Sequence, residues 1–224
     1  MTAPTLLVVA KAPVPGQAKT RLAANIGYEA AAQVAAAALL DTLEVVAGTG
    51  WPVVVAMTGD LTAAALAPEL AVALAPLRVV EQRGTGLGER LAAAHSDADA
   101  GHGVVQVGMD TPHLDPVDLQ AAADALRTHD AALGMAEDGG WWLLAVRHSG
   151  LAQVLADVPM SIPDTGTLTL AALQAAGAEV AEIAPMTDVD TWYDADDVAR
   201  TIPGTRFAAQ VDQSRRLART RSAP

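Results

Sequence analysis

Short runs that are apolar at every position, rather than at every second one, recur along this chain with helical segments between them. Residues 5–10 and 52–57 are such runs, and 77–81 and 103–107 read as further strands. A strand that is apolar on both faces must be covered on both, which is the setting of a parallel sheet between two helix layers. The intervening helices are expected at 28–47, where Val34, Leu39, Leu40, Leu43 and Val46 recur at helical spacing and Gly48 and Gly50 stop it, then at 62–73, and from the glycine-rich loop 82–90 to about 97. Asp115 with Pro116 gives a cap and a first-turn proline for a helix to 129. Later helices are expected near Leu151, at 166–176, and to 200 behind Asp194 as cap. Strands at 131–136 and 141–147 succeed each other across Glu137-Asp138-Gly139-Gly140, adding an antiparallel element, and 179–184 completes the set. The chain therefore reads as one α/β domain over 1–203, Rossmann-like, with a mainly parallel sheet flanked by helices, followed by a basic tail at 204–224.

Composition closes off several functions. With no cysteine there is no disulfide, thiolate zinc site or cysteine nucleophile. A net charge of −12 argues against nucleic acid, whose phosphates attract basic surfaces. The first apolar stretch is too short for a signal peptide, and no run approaches the roughly 20 apolar residues of a membrane span, so a cytoplasmic protein is expected. Five arginines lie among the last twenty residues, including Arg219 and Arg221, against the single acid Asp212. That tail, with Phe207, Val211 and Leu217 among its arginines, is read as disordered by default, a frayed amphipathic helix or a homodimer contact being the alternatives.

Both lysines of the chain, Lys11 and Lys19, fall in the loop after the first strand, together with Arg21. Pro13, Pro15 and Gly16 restrict that loop, lowering the cost of ordering it around an anion. Gly16-Gln17-Ala18-Lys19-Thr20 partly matches a P-loop but has alanine directly before the lysine, and Pro13 and Pro15 lack N–H groups a P-loop would use. The glycines of Gln82-Arg83-Gly84-Thr85-Gly86-Leu87-Gly88 follow the third strand and are spaced G-x-G-x-G, a weak dinucleotide signal. Asp110 ends the fourth strand, at the sheet edge where a divalent cation is held by one or two carboxylates and substrate phosphates. Asp188 and Asp190 form a second acidic cluster; too little chain follows Thr191 for the D-x-D-x-T of a haloacid-dehalogenase phosphatase. Asp138 sits beside bare glycine backbone, where an acceptor can come close. Trp141 and Trp142 point to opposite faces of their strand. Of the five histidines only His113 lies near these loops; His95, His102, His129 and His148 are read as surface residues. Ligands of such sheets gather beyond the carboxyl ends of the strands, so these loops converge on one crevice.

Taken together, Lys11-x-Pro13-x-Pro15-Gly16-x-x-Lys19-Thr20-Arg21-Leu22, Gln82 with Leu87-Gly88-Glu89-Arg90, Gly108-x-Asp110-x-Pro112-x-Leu114, Glu137-Asp138-Gly139-Gly140 and Asp188-Val189-Asp190-Thr191 resemble a bacterial family of glycosyltransferase-A-like proteins over residues 5–200. More distantly they resemble nucleotidyltransferases of that fold, including the guanylyltransferases of molybdenum cofactor and of 2-phospho-lactate. The resemblance implies the nucleotide-diphospho-sugar transferase fold and a metal-dependent transferase using a nucleotide-activated donor, NTP or NDP-sugar, on a small acceptor. It implies Mg²⁺ or Mn²⁺ on Asp110 and Asp190. It implies nucleotide contacts from Lys11, Pro15, Gly16, Lys19, Arg21, Gln82, Gly86 and Gly88, with Lys19, Arg21 and Asp138 as the catalytic groups. Met109, Trp141-Trp142 and Pro159-Met160-Ser161 depart from the family pattern on the acceptor side. A P-loop-like small-molecule kinase and a nucleotide-binding module without turnover are the alternatives.

Overall fold

A computed structural model of the chain describes residues 2–221, without the side chains of 218–221. Arg219, Arg221 and the end of the tail thus lie outside the described side chains. Seven strands form one sheet: β1 (Thr5–Lys11), β2 (Val53–Thr58), β3 (Arg78–Glu81), β4 (Val104–Gly108), β5 (Ala131–Ala136), β6 (Trp141–Val146) and β7 (Val180–Met186). Their order is β3-β2-β1-β4-β6-β5-β7, and only β6 runs against the others. The mainly parallel sheet with one antiparallel element is therefore the observed architecture. Its six parallel strands end on one edge, where the loops after β1, β4, β5 and β7 meet.

Among the described residues eight α-helices cover it: α1 (Thr20–Ile26), α2 (Tyr28–Gly48), α3 (Ala67–Leu74), α4 (Leu87–Ala98), α5 (Pro116–Ala125), α6 (Thr165–Ala175), α7 (Trp192–Thr201) and α8 (Arg206–Arg221). Alternation along β1 divides the core. Leu6, Val8 and Ala10 pack with Leu39 and Leu43 of α2, Leu70 of α3 and Leu119 of α5. Leu7 faces the other layer, with Leu91 of α4, Leu155 of the 3₁₀ helix Leu151–Asp157 and Leu173 of α6. A third cluster joins Leu22, Val34, Val189, Val198, Phe207 and Val211, so α2 is sandwiched between the sheet and α1, α7 and α8. The alanines of α2, buried at 31, 32 and 35–38, allow that close approach on both sides.

Several expectations change. Residues 206–221 take the helical alternative rather than disorder: Phe207 and Val211 are fully buried, and Asp41 accepts from the backbone of Phe207 at 2.8 Å and the Arg206 guanidinium at 3.1 Å. The apolar contacts of α8 come at helical spacing among arginines, which hides them from a reading by charge. By length and composition α2 is, against expectation, long and apolar enough to cross a membrane, yet 72% of that window is buried within the domain. The helix expected at 62–73 is split into a 3₁₀ turn, Leu61–Ala63, and α3, because Pro68 can occupy a first helical turn but not an interior one. Thr191, not Asp194, caps α7; Asp194 is the third-position partner of a capping box. His95 is not on the surface but fully buried.

Candidate active site

The loop after β1 is folded by its own charges. Lys11 Nζ donates to the Gln17 carbonyl at 2.8 Å, and Gly16 takes φ +78°, a turn that favours glycine. Lys11 N–H donates to Sδ of Met109 at 3.2 Å, so this departure from the family pattern ties the β1 and β4 loops together. Lys19 then adopts a left-handed conformation, φ 50°, directly before α1, whose first residues the sequence had given to the loop. This non-glycine strain turns the chain so that Nζ lies 2.7 Å from Asp110 and 2.9 Å from Asp190, with the side chain 10% exposed. Burial alone would lower the Lys19 ammonium, but Asp110 and Asp190 together hold its pKa above the ordinary lysine value. Arg21 reaches the other oxygen of Asp190 at 3.2 Å and is 75% exposed.

Asp190 is held from its backbone. Its N–H and that of Thr191 donate to Asp194 Oδ2 at the start of α7, at 3.1 and 2.6 Å, and Val189 N–H donates to the Asp110 carbonyl at 3.0 Å. Burial would raise the Asp190 pKa, but Lys19 and Arg21 outweigh it and the carboxyl is lowered. Asp138, Asp188 and Asp190 offer carboxylate oxygens that all lie within 4.8 Å of one another. Burial first, then the neighbouring Asp138 and Asp190 charges, push Asp188 up to about 6. A divalent cation relieves this repulsion with hard oxygen ligands, so the donor set fits Mg²⁺ or Mn²⁺. Asp110, expected to pair with Asp190 on the metal, instead holds Lys19 and lies outside this trio. Asp188 was visible in the sequence as an acid, but its convergence with Asp138 depends on the pairing of β7 beside β5.

Two cavities share Arg21, Asp110 and Asp190. The smaller, about 300 Å³, is walled by Lys11, Lys19 and Met109; the larger, about 520 Å³, by Gln106, Asp138, Trp141, Trp142, the 160–163 loop and Asp188 among others. Its hairpin wall is clamped: Gly139 packs so tightly on the Pro163 carbonyl that no Cβ fits, and Gly166 N–H donates to the Gly139 carbonyl at 2.8 Å. Of the expected nucleotide contacts, Lys11, Lys19 and Arg21 come together there. Pro15, Gly16, Gln82, Gly86 and Gly88 line neither cavity. Gln82 Nε2 donates to the carbonyls of Ala10 and Ala56, at 2.8 and 2.9 Å, and Gly88 lies against the Leu155 carbonyl where a Cβ would collide. His113 lines a different cavity, beside Asp41 and Arg206. Gln106 and its partner His95, both buried, were missed; the available signal was one amide inside an otherwise all-valine run.

Comparison with known proteins bears on the family and the fold. Residues 39–162 match the model of a family described as uncharacterized protein conserved in bacteria (DUF2064). The 3-phospho-D-glycerate guanylyltransferase of Phenylobacterium zucineum is 38% identical over 135 residues, covering 58% of this chain and 61% of the relative, so the chain spans less than two thirds of its length. A crystal structure from Desulfovibrio desulfuricans, provisionally named a nucleotide-diphospho-sugar transferase, superposes with a TM-score of 0.85 at 27% identity over 98% of both chains. A Mycobacterium tuberculosis protein solved as a manganese complex shares the fold, with a TM-score of 0.54 at 21% identity over 88% of this chain and 98% of that one. The fold is thus that of the nucleotide-diphospho-sugar transferases, and the guanylyltransferase resemblance holds.

Proposed function

The chain belongs to this bacterial DUF2064 family, and from that premise we propose that it is a metal-dependent nucleotidyltransferase joining the nucleoside monophosphate of an NTP to a small phosphorylated acceptor. The observation that carries the reading is the meeting of Lys19, Asp110 and Asp190 beside the Asp138–Asp188–Asp190 trio. By analogy with the guanylyltransferase relative, the nucleotide is GTP and the acceptor 3-phospho-D-glycerate or a close phosphorylated hydroxy acid. Asp138, Asp188 and Asp190 would hold Mg²⁺ or Mn²⁺. When bound, the cation supplies charge neutralisation and polarisation of the phosphates.

The chain's own residues account for the remainder. Lys11, Lys19 and Arg21 line the smaller cavity, where they meet phosphate oxygens. Lys19, its pKa held up by two carboxylates, stays protonated and serves as an electrostatic stabiliser rather than a base. No base is required: an acceptor phosphate is already an anion at neutral pH. Its oxygen attacks the α-phosphorus, the new P–O bond forms, the bond to the β-phosphate breaks, and pyrophosphate leaves with the electron pair. Holding acceptor and α-phosphate in adjoining cavities supplies the orientation such displacements need.

Purified protein incubated with GTP, 3-phospho-D-glycerate and Mn²⁺ should release pyrophosphate at the rate of product formation. The name of the Desulfovibrio relative favours a second reading, glycosyl transfer from an NDP-sugar through the same crevice. Release of a nucleoside diphosphate from NDP-sugars, without pyrophosphate from any NTP, would establish that reading instead. ADP from ATP would revive the kinase.

A further inference from the structure

One amide in the core of the sheet has no structural need to be polar. β4 reads Val104-Val105-Gln106-Val107, and Gln106, 3% exposed, points into the same layer as Val104. A buried amide is costly unless its polar atoms find partners. Its Oε1 lies 2.9 Å from Nε2 of His95, on α4, which is itself fully buried. His95 Nδ1 has no partner among the described residues. With the ring proton on Nδ1, a buried N–H would be orphaned; with it on Nε2, the orphan is a lone pair and the ring donates to Gln106 Oε1. His95 thereby takes the amide oxygen. The amide nitrogen is left without a protein partner among the described residues, on a side chain that lines the larger cavity.

The indole N–H groups of that wall are spent, while the buried Thr111 hydroxyl is a further donor without a partner among the described residues. Trp141 Nε1 donates to Thr169 and Trp142 Nε1 to the Ala184 carbonyl. The four aspartates of the lining only accept when ionised, and Arg21 is its one cation. Leu87, Leu91 and Met160 are apolar.

We infer that Gln106 is a specificity-determining residue for the acceptor: its Nε2 donates to an oxygen of a small anionic acceptor in the larger cavity, and His95 is the positioning residue that orients the amide. The inference rests on the acceptor site proposed above. Its chemistry selects an acceptor that presents a carboxylate or phosphate oxygen to the Gln106 amide.

The test uses the full chain with GTP, Mn²⁺ and 3-phospho-D-glycerate. Gln106→Leu should raise the acceptor KM roughly tenfold, the worth of one hydrogen bond, while the KM for GTP stays put and kcat changes far less. Gln106→Glu, placing an anion at the same point, should raise the acceptor KM further. His95→Phe should move the acceptor KM in the same direction, with melting curves confirming that all three variants fold. Nitrogen-15 NMR of the wild type should show His95 as the Nε2–H tautomer. An active wild type with an unchanged acceptor KM in Gln106→Leu, or an Nδ1–H tautomer, overturns the inference alone. A wild type that forms no pyrophosphate with this pair overturns the functional reading and the role of Gln106 with it.

Discussion

The loops after β1 and β3 both present themselves in the sequence as phosphate or nucleotide loops, and the folded chain uses them differently. The loop after β1 sends Lys19 and Arg21 across 171 and 169 positions of sequence to Asp190, so its polarity is directed at a shared crevice. The loop after β3 directs its polarity at itself: Thr85 donates twice to Glu89, Arg83 pairs with Asp97 at 2.6 Å, and Gln82 ties β1 to β2. Glycine in one loop makes a turn that presents a charge. In the other, Gly88 makes room for a neighbouring backbone. Glycine content marks close backbone approach but does not say whether a ligand or another part of the protein approaches.

The sharpest way to break this contrast is to remove one group from each loop. Lys19→Met keeps the bulk of the side chain and deletes the charge, and should lower kcat by about 10² to 10³, the usual cost of losing one preorganised electrostatic contact. Gly86→Ala, at a position with open space and an ordinary negative φ, should leave nucleotide affinity within about 0.5 kcal/mol. Equal losses in the two variants, measured as pyrophosphate release and GTP binding, would put both loops on the nucleotide and end the distinction.

A second expectation concerns α4, the helix that the glycine loop opens. His95 is buried neutral, with its pKa lowered from 6.5 to about 4 by desolvation. The unfolded chain therefore takes up this proton first, and the stability present above about pH 6.5 is lost as pH falls toward 4, by about 3 kcal/mol. Carboxylates with lowered values, such as Asp190, lose their contribution only below that window. Denaturant titrations at pH 7 and 4.5 should show the loss in the wild type and a flatter profile in His95→Phe. An identical pH dependence in both would remove His95 as the cause. Next in size, Gly88→Ala drives a Cβ into the Leu155 carbonyl and should cost about 1–3 kcal/mol of stability, with kcat nearly unchanged. A Gly88→Ala protein that is stable but inactive would return this loop to the site.

These contrasts show which features were legible beforehand. β1 and β2 were readable because burial on both faces leaves a nearly unbroken apolar run, and Lys19, Arg21 and Asp110 stood out because charge at the end of a strand has few structural uses. α8 was not, since its buried Phe207 and Val211 depend on a groove made by α1, α2 and α7. Nor were Gln106 and His95, eleven positions apart, where each polar group looks unremarkable until the other fills its hydrogen bond. Asp188 was readable as an acid but not as a neighbour of Asp138. That proximity belongs to sheet order, which places the last strand beside the fifth.

The smallest effect tests that proximity and carries a sign. Three carboxylates within 4.8 Å of one another repel unless a cation lies among them, and Asp188, the one raised to about 6, bears the cost. Asp188→Asn removes one charge from the cluster while keeping its shape and its capacity to accept a hydrogen bond. In metal-free protein at pH 7.5 the variant should be more stable than the wild type, by on the order of 1 kcal/mol once solvent screening is allowed for. With Mn²⁺ the order should reverse, because binding to the folded state stabilises only a protein that keeps the site. Melting temperatures of both proteins with and without Mn²⁺ decide it. A wild type indifferent to Mn²⁺ would remove the cation from this crevice; a variant destabilised in its absence would mean that Asp188 is held for structure. The cation would then have to be sought at Asp110 and Asp190, which Lys19 bridges.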